Sequence, residues 1–369
     1  MMESLRLLVE TRGATALPGV SIRLDLLRPM LSRAVARGYV AAEGAEFVVD
    51  GLVNGFDCGV DTSLLRGGRR RANYSTALGS RPAVSAALRK RVASNKSYAL
   101  MAWKPSDRKL PVPWEAWRIA AMGMVWKKAI EGQYVDVPEG RPFTDHTESG
   151  LNAATDMSRL RHSLDSYEAV GRFFSYLWCM RVGDVAAAFL LLPLSPALWP
   201  FFMVHWWDLE AADDDVKAAW IVYFHVCADF GAAGVPGTFK MFFADVMMGV
   251  ARSERVLTLP SMVYVDDVAL MGEAPAHVDR EGAEFAAWLA GLGVIMKELK
   301  TRMAARIQLY LGFWWNSSAR TRTLEETKFW QYLSMLEEFA DSDVLTLREM
   351  QSAAGRMQRD ALTPRVSCT

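Results

Sequence analysis

Apolar residues recur at spacings of three and four in Glu281–Met296 (EGAEFAAWLAGLGVIM) and in Glu326–Ala340 (ETKFWQYLSMLEEFA), a period that predicts two amphipathic helices. A further helix is predicted in TLREMQSAAGRMQRDAL, where Thr346 and Glu349 have the spacing of a capping box. Short runs of β-branched, aromatic and other apolar residues predict strands at Met262–Val265, Val268–Met271 and Leu309–Trp315. This mixture places the chain in the α+β class. Val185–Val204 runs without a charge for about the length of a membrane span. Pro193, Pro196 and Pro200 would break a helix there repeatedly, so a buried strand followed by a turn is expected instead. There is no internal repeat and no long low-complexity tract, which argues against a solenoid.

Composition narrows the class. The chain has 369 residues, 51% hydrophobic and 11% aromatic, with 13 Trp. That apolar content excludes a disordered chain, and at about 100–200 residues per domain the length allows two or three lobes. Cys58, Cys179, Cys227 and Cys368 are widely separated with no C-x-x-C pair, so neither a zinc site nor a disulfide framework is indicated, and a reducing compartment is expected. Glu3 and Glu10 interrupt the N-terminal apolar residues, unlike a signal peptide. The expected location is intracellular, cytoplasmic or nuclear, without secretion or membrane insertion.

Charge is informative only by position. Lys plus Arg and Asp plus Glu each total 42, a formal net charge of zero, which says nothing about the sign of a partner. Between Asp61 and Leu110, however, Arg66, Arg69, Arg70, Arg71, Arg81, Arg89, Lys90, Arg91, Lys96, Lys104, Arg108 and Lys109 face only Asp61 and Asp107, a local net of +10. A weaker basic segment spans Lys297–Arg322, and DLEAADDDVK, with Asp213–Asp215, is an acidic stretch expected to be a solvated loop. The cluster RGGRRR, containing Arg69, Arg70 and Arg71, suits contacts to nucleic-acid phosphates, because each neutralised phosphate releases counterions. The alternative is a solvated basic loop. Gly67 and Gly68 lack the spacing and the Lys-Ser/Thr ending of a P-loop, which excludes a Walker-type NTPase.

The segment SMVYVDDVALMG carries the most specific chemistry. Two apolar runs flank Asp266 and Asp267, so a β-hairpin with both carboxylates at or beside its tight turn is expected. Asp is also a common turn residue. Adjacent carboxylates on a rigid turn repel, and a divalent cation relieves that repulsion while acting as a Lewis acid. Asp184 in MRVGDVAAAFLLL is the most plausible upstream partner, at the edge of an otherwise apolar sheet; the alternative is an exposed turn after Gly183. His and Cys are absent from both motifs, as befits oxygen-ligated Mg²⁺. His146, His162, His205, His225 and His277 show no metal spacing and are expected to be packing or surface residues.

These residues resemble the palm of reverse transcriptases. YVDD (Tyr264–Asp267) is similar to that family's motif C and DVAAAF to its motif A. The resemblance implies that Asp184, Asp266 and Asp267 form the catalytic, metal-binding set and that Phe189 is the gate excluding a ribose 2′-OH. Lys127 and Lys128 in VWKKA and Arg141 in RPFTDH resemble the fingers residues that hold the incoming triphosphate. FGAAGVPGTF (Phe230–Phe239) resembles motif B, with Phe230, Gly231 and Pro236 at the nucleotide pocket and template. LGVIMKELKT resembles motif D, implying Lys300 near the leaving pyrophosphate. YLGFWW resembles the primer grip, with Leu311, Gly312 and Phe313, and LTLREMQSAAGRM the thumb helix beyond.

The implied layout is a right-hand polymerase: a basic N-terminal region (1–110), fingers (111–180), a palm (181–312) of antiparallel sheet with helices on one face, and primer grip to partial thumb (313–369). Phe230 ahead of the motif B glycine, with VVDGLVNGFDCGVD and FLLLPLSPALWPFFMVHW, resembles DIRS-like retroelements that use a tyrosine recombinase. The implied activity is RNA-directed DNA synthesis with two Mg²⁺ ions, Mn²⁺ as a substitute, and RNA template, DNA primer and dNTPs as partners. Ala186 and Ala187 replace the usual charged pair of motif A, ADFG replaces the common LPFG, and TDHTES departs from the fingers pattern. Those departures motivate a second expectation, a catalytically silent fold retained as a nucleic-acid-binding module.

Overall fold

The computed structural model describes residues 17–103, 117–126, 140–160, 167–207, 220–342, 344–347, 350–351 and 353–354. Lys104, Arg108, Lys109, Lys127, Lys128, His162, Glu349, Cys368 and the acidic stretch Asp213–Asp215 lie outside the described residues. In chain order the strands are β1 (Arg69–Arg70), β2 (Ser97–Trp103), β3 (Arg118–Trp126), β4 (Gly140–Asp145), β5 (Cys179–Asp184), β6 (Met203–Trp206) and β7 (Trp220–His225). They continue with β8 (Ser261–Tyr264), β9 (Asp267–Gly272), β10 (Arg302–Ala305), β11 (Ile307–Tyr310), β12 (Phe313–Asn316) and β13 (Thr321–Leu324). The mixture of helix and sheet is that of an α+β protein. Two units interleave along the chain: Met1–His162, Ala187–Glu254 and Leu292–Val294 form the first, and Ser163–Ala186, Arg255–Gly291 and Ile295–Thr369 the second.

The first unit is organised by a six-stranded sheet in the order β1-β3-β6-β7-β2, with β4 on β3. Seven successive residues of β3, Arg118–Met124, are buried, the pattern of a central strand covered on both faces rather than the alternation of a half-exposed one. The helix Arg81–Ala93 lays Val84, Ser85 and Leu88 against this sheet. Ser85 accepts a 2.8 Å hydrogen bond from the Trp206 indole, while Lys90 stays exposed on the outer side. A helical rod runs through Val235–Lys240, a π-helical turn Met241–Met247 and Met248–Ser253. Pro236 opens it, where the missing N–H costs nothing. It buries Phe239, Phe242, Phe243 and Val246 and packs on helices Leu24–Ala36 and Ala42–Asn54.

Val185–Val204 does not form the expected buried strand and turn. Short 3₁₀ turns occupy Ala188–Leu191 and Pro196–Phe201, and a strand begins only at Met203. Prolines cannot donate to a ladder; the segment instead makes single links, Leu194 N–H to Val226 and Ala228 N–H to Leu192. No helix among the described residues is long and apolar enough to cross a membrane.

The second unit is built on the antiparallel sheet β10-β5-β9-β8. Side-chain alternation divides its two faces. Arg181, Gly183, Val268 and Leu270 meet the helix Pro275–Gly291 through Gly282 and Phe285. Met180, Val182, Ala269 and Met271 pack with Tyr310, Phe313 and Trp315 of the three-stranded sheet β11-β12-β13. The helix predicted from Glu281 to Met296 begins earlier, at Pro275, and stops at Gly291; Gly293 follows at φ +89°, a conformation that suits glycine and ends the turn. The strand predicted over Leu309–Trp315 is a hairpin. Leu311 and Gly312 both take positive φ, +54° and +83°, the two-residue geometry that folds β12 back on β11. The helix Glu326–Ala340 has the predicted bounds.

Because Val84, Ser85 and Leu88 are the anchoring face of the basic helix, Leu88→Ala should cost about 2–5 kcal/mol of stability. Lys90→Ala should change it by less than about 0.5 kcal/mol. Urea denaturation of the two variants beside the wild type measures both.

Candidate active site

The expected hairpin is present. β8 pairs with β9 so that Tyr264 stands opposite Asp267, leaving Val265–Asp266 as a two-residue turn. Val265 takes φ +56°, a left-handed conformation that is costly for a β-branched residue and held here by the strands on either side. On its other edge β9 pairs with β5, and Asp184 is the direct partner of Asp267. Val185 N–H donates 2.8 Å to the Asp266 carbonyl, tying the turn to the end of β5. By alternation Asp184 and Asp267 share the face of Val182 and Ala269, not that of the covering helix.

The chain after the Pro275–Gly291 helix then returns alongside β5. Ala186 N–H donates to the Ile295 carbonyl, and Lys297 N–H to the Asp184 carbonyl at 2.8 Å. A short 3₁₀ turn over Glu298–Lys300 spaces Lys297 and Lys300 so that both ammonium groups ion-pair with buried Asp184, one on each carboxylate oxygen. Burial, reinforced by the neighbouring Asp266 and Asp184, raises the Asp267 carboxyl to about 6. Asp266 is raised too, by burial first and then by Asp184. The two lysines oppose both shifts without cancelling them.

An all-carboxylate set with residual negative charge is the donor chemistry a hard divalent cation prefers. Among the described residues, however, no three such side chains converge into a ligand cage, and both Asp184 oxygens are engaged by lysine. Carboxylate oxygens are the donor type Mg²⁺ takes, and here those of Asp184 are paired with two ammonium groups. Of the residues expected here, the structure thus brings together Asp184, Asp266, Asp267 and Lys300. Lys297 went unnoticed, although KELK spaces its two lysines as one tight turn requires.

The remaining expected residues lie elsewhere. Phe189 is buried in the 3₁₀ turn Ala188–Leu191 of the first unit. Its ring meets Phe230 at 4.7 Å between centroids and Phe239 edge-on at 5.9 Å. Gly231 has φ +100°, and a Cβ there would collide with the Thr144 carbonyl oxygen. Asn152 clamps the same loop, donating 2.9 Å to the Gly231 carbonyl and accepting 2.8 Å from Ala233 N–H. Arg141 is exposed on β4, opposite Val125 of β3. Leu311 and Gly312 form the β11–β12 turn, whose Gly312 carbonyl accepts from Glu325 N–H, and Phe313 is buried beneath it. Arg69 and Arg70 constitute β1, and Arg71 is exposed beside Glu148, 3.4 Å away.

Asp229, immediately before Phe230, is a second polar centre that the sequence marked only as a departure from the family pattern. It is fully buried, 2.9 Å from the Arg91 guanidinium. It also accepts a 2.6 Å hydrogen bond from the Thr144 hydroxyl. Burial opposes its ionisation, but Arg91, His225 and Thr144 outweigh that and hold the carboxyl well below the usual range. His225, which meets Ser97 at 2.7 Å, and His146, against Phe202, are both pushed down to about 4 by burial. Both are neutral near pH 7. His146 is a buried packing residue, as expected, with neither ring nitrogen hydrogen-bonded.

Two outcomes are expected. Asp229→Asn leaves the Arg91 charge uncompensated in the interior and should destabilise by roughly 3–5 kcal/mol, read by denaturant unfolding. Asp267→Asn should act the other way. Its folded pKa lies above the unfolded one of about 3.9, so the folded state holds the proton more tightly and wild-type stability falls as pH rises from there through about 6. Without divalent cations, Asp267→Asn should therefore raise Tm at about pH 7.5 and lose that advantage near pH 4.

No family model and no curated protein matches the chain. Among solved structures, the foamy viral protease-reverse transcriptase in complex with RNA/DNA hybrid superposes with a TM-score of 0.52 at 13% identity, covering 81% of this chain and 33% of that one. The foamy viral protease-reverse transcriptase dRH in complex with double-stranded DNA gives 0.51 at 15%, covering 79% and 42%. The chain thus spans 33% and 42% of the length of those two proteins, and the likeness does not reach the DIRS-like subtype. It shows a reverse-transcriptase-like fold.

Proposed function

We propose that the chain is a nucleic-acid polymerase of the reverse-transcriptase kind, adding dNTPs to a DNA primer 3′-OH on an RNA template. The observation that carries this reading is the register of β5, β9 and β8. It delivers Asp184, Asp266 and Asp267 to one sheet end with two lysines facing them, on a fold like that of a reverse transcriptase. Asp184, Asp266 and Asp267 would hold Mg²⁺, or Mn²⁺ in its place, which when bound supplies Lewis-acid activation of the 3′-OH and charge compensation at the leaving group.

The chain's own groups do the rest. Lys300 would neutralise the departing pyrophosphate, and Lys297 keeps Asp184 oriented through its backbone N–H. Lys127, Lys128 and Arg141 neutralise the triphosphate. Phe189, whose ring packs on Phe230, is the proposed gate against a ribose 2′-OH. Leu311, Gly312 and Phe313 support the primer, and the arginines of β1 the template.

A second reading rests on the same ion pairs. With both Asp184 oxygens held by lysine, the site resembles one in which ammonium groups have taken the place of metal, as in a silent nucleic-acid-binding module. One assay separates the two. Purified chain with Mg²⁺ or Mn²⁺ should extend a DNA primer on an RNA template, and Asp266→Ala should reduce extension by at least about 10²-fold. Equal extension by that variant would refute the site, and tight RNA binding with no incorporation under either metal would favour the silent module.

A further inference from the structure

β1 pairs with β3 in parallel register, and the pairing sets Arg69 directly opposite Arg118. Like charges in that position repel, yet no carboxylate among the described residues lies within ion-pair distance of either. Arg118 is buried and has only neutral partners, donating 2.7 Å to the Ser149 carbonyl and 2.9 Å to the Arg66 carbonyl, while its Nε is unpartnered. The nearby acid, Glu148, is on Arg71.

The two guanidinium groups converge on Gly150. A Cβ built there would stand 2.8 Å from Arg118 Nη1 and 3.0 Å from Arg69 Nη1, and the residue has φ +81°. Glycine suits the position by its backbone conformation, and a side chain there would push against both guanidinium groups. Arg71 N–H continues the ladder to the Ile119 carbonyl, so Arg69 and Arg71 lie on the same face and Arg70 on the other. Arg69 and Arg71 are exposed, and nothing crowds the neighbouring Gly67. Burial and the Arg69 charge both lower the Arg118 pKa, as expected for a cation short of counter-charge.

We propose that Arg69 and Arg118 over Gly150, with Arg71 beside them, form a binding site for the phosphodiester backbone of a nucleic-acid strand. An oxyanion offers several acceptor lone pairs and a negative charge to the Arg69 fork, relieving the repulsion that the register imposes. Arg118 is the fixed charge beneath, locked by its two carbonyl partners. The exposed setting suits a polyanion that binds by distributed surface contacts, whereas a single nucleotide needs a concavity that buries most of it. The site rests on the polymerase reading only for the identity of the polyanion.

The test uses full-length protein in EDTA, with fluorescein-labelled RNA and DNA oligonucleotides, anisotropy over a KCl series and a melting curve for every variant. Arg69→Gln should weaken binding by about 3–10-fold and reduce the slope of log affinity against log salt by about one, the signature of one lost phosphate contact. Arg69→Glu should weaken it further while raising Tm, because it turns a like-charged pair into an opposite one. Arg28→Gln, an equal charge change on the distant helix Leu24–Ala36, should leave the slope within error.

The proposal is overturned if Arg69→Gln behaves as Arg28→Gln does, or if it weakens inorganic triphosphate binding while oligonucleotide affinity stays at the wild-type value. Loss of primer extension with Arg69-dependent binding intact would refute the polymerase reading alone, and Arg69-independent binding by an active polymerase would refute this site alone.

Discussion

Like charges at the ends of β5 and β9 repel, and the ladder between those strands gives them no room to separate. Residues directly opposite in an antiparallel pair sit about 4.5–5.5 Å apart. At about that range and with an effective dielectric of about 20, two unit charges of one sign repel by roughly 3 kcal/mol, and Asp184 and Asp267 are such a pair. The rest of the second unit is arranged around that cost. The ladder cannot slip to relieve it, because moving β9 by one residue would carry Ala269 and Met271 out of the Tyr310, Phe313 and Trp315 cluster and onto the helix face. Apolar packing on both faces thus holds the register, and the register holds the carboxylates together. Lys297 and Lys300 offset part of the repulsion, and burial together with what remains of it keeps the Asp266 and Asp267 carboxyls raised.

The first unit treats buried charge differently. Asp229 is matched at once by a guanidinium, a hydroxyl and a nearby imidazole, so its charge is settled within the fold. What this secures is the loop that follows. Asp229, the Gly231 contact with the Thr144 carbonyl and the two Asn152 hydrogen bonds grip three successive points of one turn. Between them Phe230 remains half exposed, its ring against Phe189. The departure from the common LPFG pattern is therefore coherent: an acid in that place works because Arg91 is there to receive it.

Local features were legible in the sequence and long-range ones were not. The hairpin at Asp266 could be read because two apolar runs bracket a pair of turn-forming acids, and Glu326–Ala340 because its period is uninterrupted from end to end. Helical spacing carried on past Gly291 because Leu292 and Val294 are apolar, but both are buried without being helical. Gly293 there packs on the Ser21 carbonyl, a contact far off in the chain. The Leu311–Gly312 turn was hidden inside an apolar run, since Leu rarely takes positive φ and gives no warning of it. Arg91 with Asp229, Asn152 with Gly231 and Arg69 with Arg118 are pairs between segments that no local pattern connects. Asp184 could be offered as a partner of the Asp266–Asp267 pair, but its alternative as an exposed turn stayed open, since it is brought to Asp267 only by strand pairing; the catalytic role of the three came from family likeness.

The two uncompensated charge sites also differ in which residue types surround them, and that difference has mechanical consequences. A lysine ammonium is a compact, strongly hydrated charge on a flexible stem, so the pairing of Lys297 and Lys300 with Asp184 can open when something of higher charge arrives. Arg118 is the opposite case. Its planar fork is spent on two backbone carbonyls that belong to the Arg66 loop and to the turn before Gly150, and withdrawing it would unfasten both. An exchangeable neutraliser suits a place where cations come and go, and a fixed cation suits a surface that must stay positive. The zero net charge of the whole chain conceals both arrangements, because each depends on where opposite charges fail to meet.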